Sequence, residues 1–120
     1  MLICAPMKNT VAALMLILVP LLACKNLMRD SPAGNCNASA VPDKEFCFEY
    51  PKSGVEGGKN LCASSFKGVW SEGTCNRTNA LGVCKLSNGN NKVFYAGTQW
   101  KTADDAKKEC SDEWVGPNEK

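Results

Sequence analysis

The chain has no histidine, which removes the commonest general base and the commonest metal ligand. It lacks an excess of either charge, with 14 Lys+Arg against 12 Asp+Glu, so the basic surface of a nucleic-acid binder is missing. It has no closely spaced cysteine pair of the kind that holds zinc: the gaps from Cys36 to Cys110 are 10, 14, 12, 8 and 25 residues. It also has no apolar run that reaches the roughly 20 residues a membrane-crossing helix needs. The longest, VAALMLILVPLLA at 11–23, is thirteen residues without a charge.

That run, preceded by Lys8 and closed by small residues, has the build of a secretory signal peptide. A buried core helix would carry a polar face and would not contain Pro20. Met7-Lys8 fits the start of such a signal better than Met1, and Cys4 leaves with the leader in either case. Removing residues 1–23 from the 120 leaves 97 residues, enough for one small domain whose modest core gains from disulfides.

Leu21-Leu22-Ala23-Cys24 resembles the lipobox of bacterial lipoproteins, with Leu at −3, a small residue at −1 and Cys at +1. Leu22 departs from the commoner Ser or Ala at −2. The resemblance implies that the Cys24 thiol receives a diacylglyceryl group, that lipoprotein signal peptidase cuts before it, and that the new amine is acylated in many bacteria. Cysteine parity agrees. Seven cysteines remain from Cys24 onward; if Cys24 carries lipid, six are left, namely Cys36, Cys47, Cys62, Cys75, Cys84 and Cys110. Two acyl chains anchor stably without a spanning helix. Lys25, rather than Asp, is compatible with sorting to the outer membrane.

Residues 24–44 read as the lipidated N-terminus and a flexible tether, rich in Asn, Ser, Ala, Pro and Gly and pinned at Cys36. Asn37-Ala38-Ser39 and Asn76-Arg77-Thr78 match the glycosylation sequon, as chance matches behind a bacterial lipobox. Residues 45–120 read as a six-cysteine α+β domain, a small antiparallel sheet with two short helices. EFCFEY (45–50) alternates as a half-buried strand, with Phe46, Phe48 and Tyr50 on one face and Cys47 and Glu49 on the other. KSGVEGG (52–58) reads as a loop, and residues 59–67 as a short helix ended by Gly68 as a left-handed cap. Val69–Ser71, Leu81–Leu86 and Lys92–Ala96 read as strands, the last two joined by a hairpin around Asn88-Gly89. Thr102 caps a predicted helix over 102–114, with Ala103, Ala106, Cys110 and Trp114 as its apolar stripe.

The two halves echo each other: Cys47, Tyr50, Cys62 and Trp70 parallel Cys84, Tyr95, Cys110 and Trp114, with Cys36 and Cys75 as further equivalents. Six cysteines allow fifteen pairings, and sequence does not choose among them. The preferred set is Cys47–Cys62 and Cys84–Cys110, each tying a strand to its own helix, with Cys36–Cys75 across. Three cysteines per half require at least one bridge between halves. The pattern Cys47-Phe48-Glu49-Tyr50, Cys62, Gly68-Val69-Trp70, Cys75, Gly82-Val83-Cys84, Phe94-Tyr95 and Cys110 resembles small cysteine-rich domains in lipoproteins of myxobacteria and spirochaetes. That resemblance implies fold and location and carries no activity.

GVEGGKN (54–60) has one residue too few for a phosphate loop and Asn60 in place of Ser or Thr, so it reads as a loop. Asp104/Asp105 and Asp112/Glu113 read as solvated helix faces. Trp100 stands between two readings, packing over the edge of the core or an exposed partner contact. The chain is therefore expected to be a non-catalytic binding or interaction module of the cell envelope, at the outer membrane or cell surface. It would be held to the membrane through lipid on Cys24, with an unidentified protein or envelope ligand as partner. No cofactor, metal or nucleic acid is implied. A hydrolase inhibitor presenting loop 52–58 or 97–101 is the alternative, and a small hydrolase working through carboxylates alone comes third.

Overall fold

A computed structural model describes residues 31–119; the segment read as a signal peptide and lipobox, with Cys24, lies outside the described residues. Six strands form one sheet: β1 (Gly34–Asn37), β2 (Phe46–Tyr50), β3 (Val69–Glu72), β4 (Ala80–Lys85), β5 (Asn91–Tyr95) and β6 (Glu113–Val115). Their spatial order is β3-β1-β2-β5-β4-β6, with every neighbour antiparallel. Two helices accompany the sheet: α1 (Val55–Leu61), continued by a wider turn over Cys62–Phe66, and α2 (Ala103–Lys107). The sheet dominates, so α+β describes the domain only loosely.

The order is symmetric about the β2–β5 seam. Each half is a hairpin, a helix and an edge strand, and each edge strand pairs with the first strand of its own hairpin. The echo seen in sequence is therefore present in the topology, but in a different register. Gly34, Cys36, Cys62 and Trp70 correspond to Gly82, Cys84, Cys110 and Trp114: Cys36 lies opposite Trp70 as Cys84 lies opposite Trp114. Cys47 is not the counterpart of Cys84, nor Cys36 of Cys75.

The bridges follow this register. Cys84–Cys110 forms as expected, but Cys36 joins Cys62 and Cys47 joins Cys75, in place of Cys47–Cys62 and Cys36–Cys75. Cys36–Cys62 and Cys84–Cys110 are equivalent, each tying the first strand of a half to the segment after its helix across 26 residues. Side-chain alternation explains the correction. Cys47 and Phe48 face opposite sides of β2, and α1 packs on the Phe48 side, leaving Cys47 out of reach of Cys62.

Four further expectations change. The supposed tether contains β1, an interior strand whose Asn35 is 5% exposed and Cys36 1%; its burial rests on a carboxamide and a disulfide, so apolar alternation could not announce it. Residues 52–58 form a 3₁₀ turn and most of α1, held where Gly58 lies flat against the Tyr50 ring. The left-handed residue after that helix is Lys67, at φ 54°, whereas Gly68 is a glycine because a Cβ there would meet the Asn37 carbonyl at 2.7 Å. The second helix ends at Lys107, and Trp114 lies on β6.

One side of the sheet carries the aromatic core, with Phe46, Phe94 and Trp100 buried and Phe48, Phe66 and Trp114 packed on them. The other side holds a smaller cluster of Cys47, Cys75, Val83 and Val93. Strand β2 is thus buried on both faces rather than one.

Candidate functional site

After β3 the chain crosses the second face of the sheet before starting β4, and this crossing leads to a polar depression on the surface. The Asn35 Nδ2 group donates to the carbonyls of Gly73 (3.1 Å) and Thr74 (3.2 Å), and Cys75 is bridged to Cys47. Glu49, 1% exposed, receives the Cys75 N–H at 2.8 Å. The Arg77 guanidinium grips both Glu49 oxygens at 2.8 and 3.1 Å, and Asn91 donates to Oε1 at 3.0 Å. Every bond a buried carboxylate requires is supplied. The Tyr95 hydroxyl donates to the Asn76 carbonyl, and burial pushes its pKa up to about 12, with Arg77 pulling it down and Glu49 raising it.

The crossing ends at a bowl lined by Asn37, Ser39, Asn76, Thr78, Asn79 and Tyr95, about 250 Å³ in volume. Its place follows from strand direction. The carboxyl ends of β1 and β5 and the amino ends of β2 and β4 meet at one pole of the sheet, and the bowl sits there. Residues 31–33 enter β1 at the other pole, where Ala33 N–H bonds the Tyr50 carbonyl.

Local bonding fixes the rim. The Asn37 Oδ1 accepts from the Ser39 N–H (2.9 Å) and hydroxyl (2.6 Å), and the Asn76 Oδ1 accepts from the Thr78 N–H (2.8 Å). Asn79 holds a left-handed backbone, at φ 62°, that asparagine tolerates better than most residues. The lining offers carboxamides and hydroxyls. Its one titratable group, Tyr95, keeps its proton far above neutrality, so the bowl holds no general base for neutral pH. Among the described residues no cluster of three His, Cys, Asp or Glu side chains could hold a metal ion.

The six cysteines read as disulfide partners, Cys36, Cys47, Cys62, Cys75, Cys84 and Cys110, are all bridged. Trp100 is 7% exposed and meets Phe94 edge-on at 4.6 Å; of its two readings the structure shows the packed one, a core residue and not an exposed side chain. The inhibitor loops do not stand free either. Residues 52–58 form a 3₁₀ turn and the start of α1 rather than a loop, and Thr98 is tied to Asp43 (2.7 Å) and Glu45 (2.8 Å). Both bonds from Thr98 to Glu45 hold that carboxyl below its ordinary range.

Lys92 stands where the first half has Phe48, and its ammonium lies 4.8–5.6 Å from the ring centres of Phe46, Phe94, Trp100 and Phe48. Burial lowers its pKa, with Glu109 opposing. This box is filled by the protein's own cation.

Four of the bowl residues were visible in sequence as two Asn-x-Ser/Thr triplets and Tyr95 as part of the repeat, whereas Asn79 carried no signal. The spacing that makes a sequon also lets an Asn oxygen cap the N–H two residues on, and the structure uses both triplets that way. No protein-family model, curated protein or solved structure matches the chain.

Proposed function

We propose that this is a lipid-anchored protein of the cell envelope whose folded domain is a non-catalytic binding module, with the polar bowl as its binding site. One observation carries the reading: the bowl lies at the pole of the sheet opposite the point where the N-terminal segment enters. Residues 31–33 thus join the domain at one end of β1 and the bowl lies at the other, about 13 Å along the strand. Three disulfides suit the oxidising compartment that export implies. The bowl's amides and hydroxyls suit recognition, not bond cleavage.

Two measurements test the two halves of the proposal. Cys24→Ala is expected to move the protein from the membrane to the soluble fraction; unchanged detergent partitioning would refute the anchor. The soluble variant should sediment with envelope fragments of the parent organism, and adding Thr78→Trp, at an exposed rim position, should reduce the bound fraction at least ~10-fold. Undiminished sedimentation would remove the bowl from the function.

A further inference from the structure

Resting on the reading of the bowl as the binding site, we infer that its ligand is a neutral saccharide, one or two rings at the end of a glycan. Charge is decisive first. Asn37, Ser39, Asn76, Thr78, Asn79 and Tyr95 carry no formal charge at neutral pH. The nearest guanidinium, Arg77, has both Glu49 oxygens on it, so it leaves little net field to reward a phosphate, a carboxylate or an ammonium.

Hydrogen-bonding capacity comes next. The Asn37 and Asn76 oxygens are committed to their own turns, so these side chains meet a ligand as Nδ2 donors. The Ser39 hydroxyl spends its proton on Asn37 and meets a ligand as an acceptor. The Thr78 hydroxyl can do either, and the Asn79 carboxamide both. Donors and acceptors interleaved over one small surface match vicinal sugar hydroxyls, each of which also donates and accepts. An apolar ligand would leave these groups unpaired.

Rigidity and size agree. The rim is held by its own turns and, through Cys75, by a disulfide to β2, so little ordering remains for a ligand to impose. The volume of about 250 Å³ lies just under the range of roughly 300–1,000 Å³ that suits drug-sized ligands.

The test is saturation-transfer NMR on the full chain in a detergent without a sugar head group. The probes are the methyl glycosides of glucose, galactose, mannose and N-acetylglucosamine, with glucose 6-phosphate and glucuronic acid as charged counterparts. At least one neutral glycoside is expected to receive saturation. Thr78→Ala and Asn79→Gly should each weaken its binding ~5-fold or more, the second keeping a residue that suits the left-handed backbone. Preference for a charged counterpart overturns the ligand class. So does absence of sugar binding, even where sedimentation with envelope still depends on the bowl; loss of that dependence fails the binding site itself. Glycan found covalently on Asn37 or Asn76 of the native protein also overturns it, because it would fill the bowl.

Discussion

At the scale of single residues, two glycines set how each half closes. A Cβ on Gly34 would lie 2.3 Å from the Trp70 ring, and one on Gly82 would lie 2.1 Å from Trp114. The indoles lie flat on the strand and occupy the volume a side chain would need. Gly82→Ala is expected to destabilise the protein by about 2–3 kcal/mol, as overpacking does. Gly57→Ala on α1, where nothing lies within 4 Å, should stabilise by about 0.5–1 kcal/mol by lowering the entropy of the unfolded chain. Denaturant titration of the two variants would separate these opposite signs. The tyrosines give a pH prediction. Burial raises both Tyr50 and Tyr95, the latter to about 12 from an ordinary 10.0. Below pH 10 folded and unfolded chains both keep the proton, so stability is unaffected. Between about 10 and 12 the unfolded chain releases it first, and stability falls as pH rises. Ultraviolet titration of the folded protein should show less than half of the tyrosine ionised at pH 10, and half-ionisation at that pH would contradict it.

At the scale of elements, strands were legible where side chains alternate and helices where caps are local. The strand readings at 45–50, 69–71, 81–86 and 92–96 all lie within two residues of the observed ones. Thr102 caps α2 through its side-chain oxygen, which accepts from Asp105 N–H at 3.2 Å. Thr102→Ala should cost about 1 kcal/mol in a thermal or denaturant melt. The end of α2 was not legible, because the stripe Ala106, Cys110, Trp114 is compatible with a continuing helix. It is the Cys84–Cys110 bridge and the place of Trp114 opposite Cys84 that turn the chain into β6. Likewise β1 has no apolar alternation, and only its partners β2 and β3 make Gly34–Asn37 a strand.

At the scale of the whole molecule, three bridges hold two similar halves and the segment between them. Each closes 26 or 28 residues, worth about 3.5 kcal/mol in the loop-closure estimate. Together they rival the roughly 5–15 kcal/mol net stability of a small domain. Reduction is therefore expected to unfold the protein, visible as loss of near-ultraviolet circular dichroism; a reduced chain with native signal would overturn this. Peptide mapping without reduction should recover Cys36–Cys62, Cys47–Cys75 and Cys84–Cys110. The central bridge has a distinct role: Cys47–Cys75 fastens the crossing segment, and with it the rim of the bowl, to the face opposite the helices.

Composition and spacing by themselves determined that histidine chemistry is absent, that the cysteines from Cys36 onward form an even set of six, that the chain repeats itself, and that Thr102 starts a helix. These are local or countable properties, fixed by residue type. Only the tertiary structure decided which cysteines meet, that Arg77 pairs with the buried Glu49, and that two turns nearly forty residues apart in sequence share one bowl. Pairing depends on which face of a strand each side chain takes and on what packs there, and neither is known until the strands have found their neighbours.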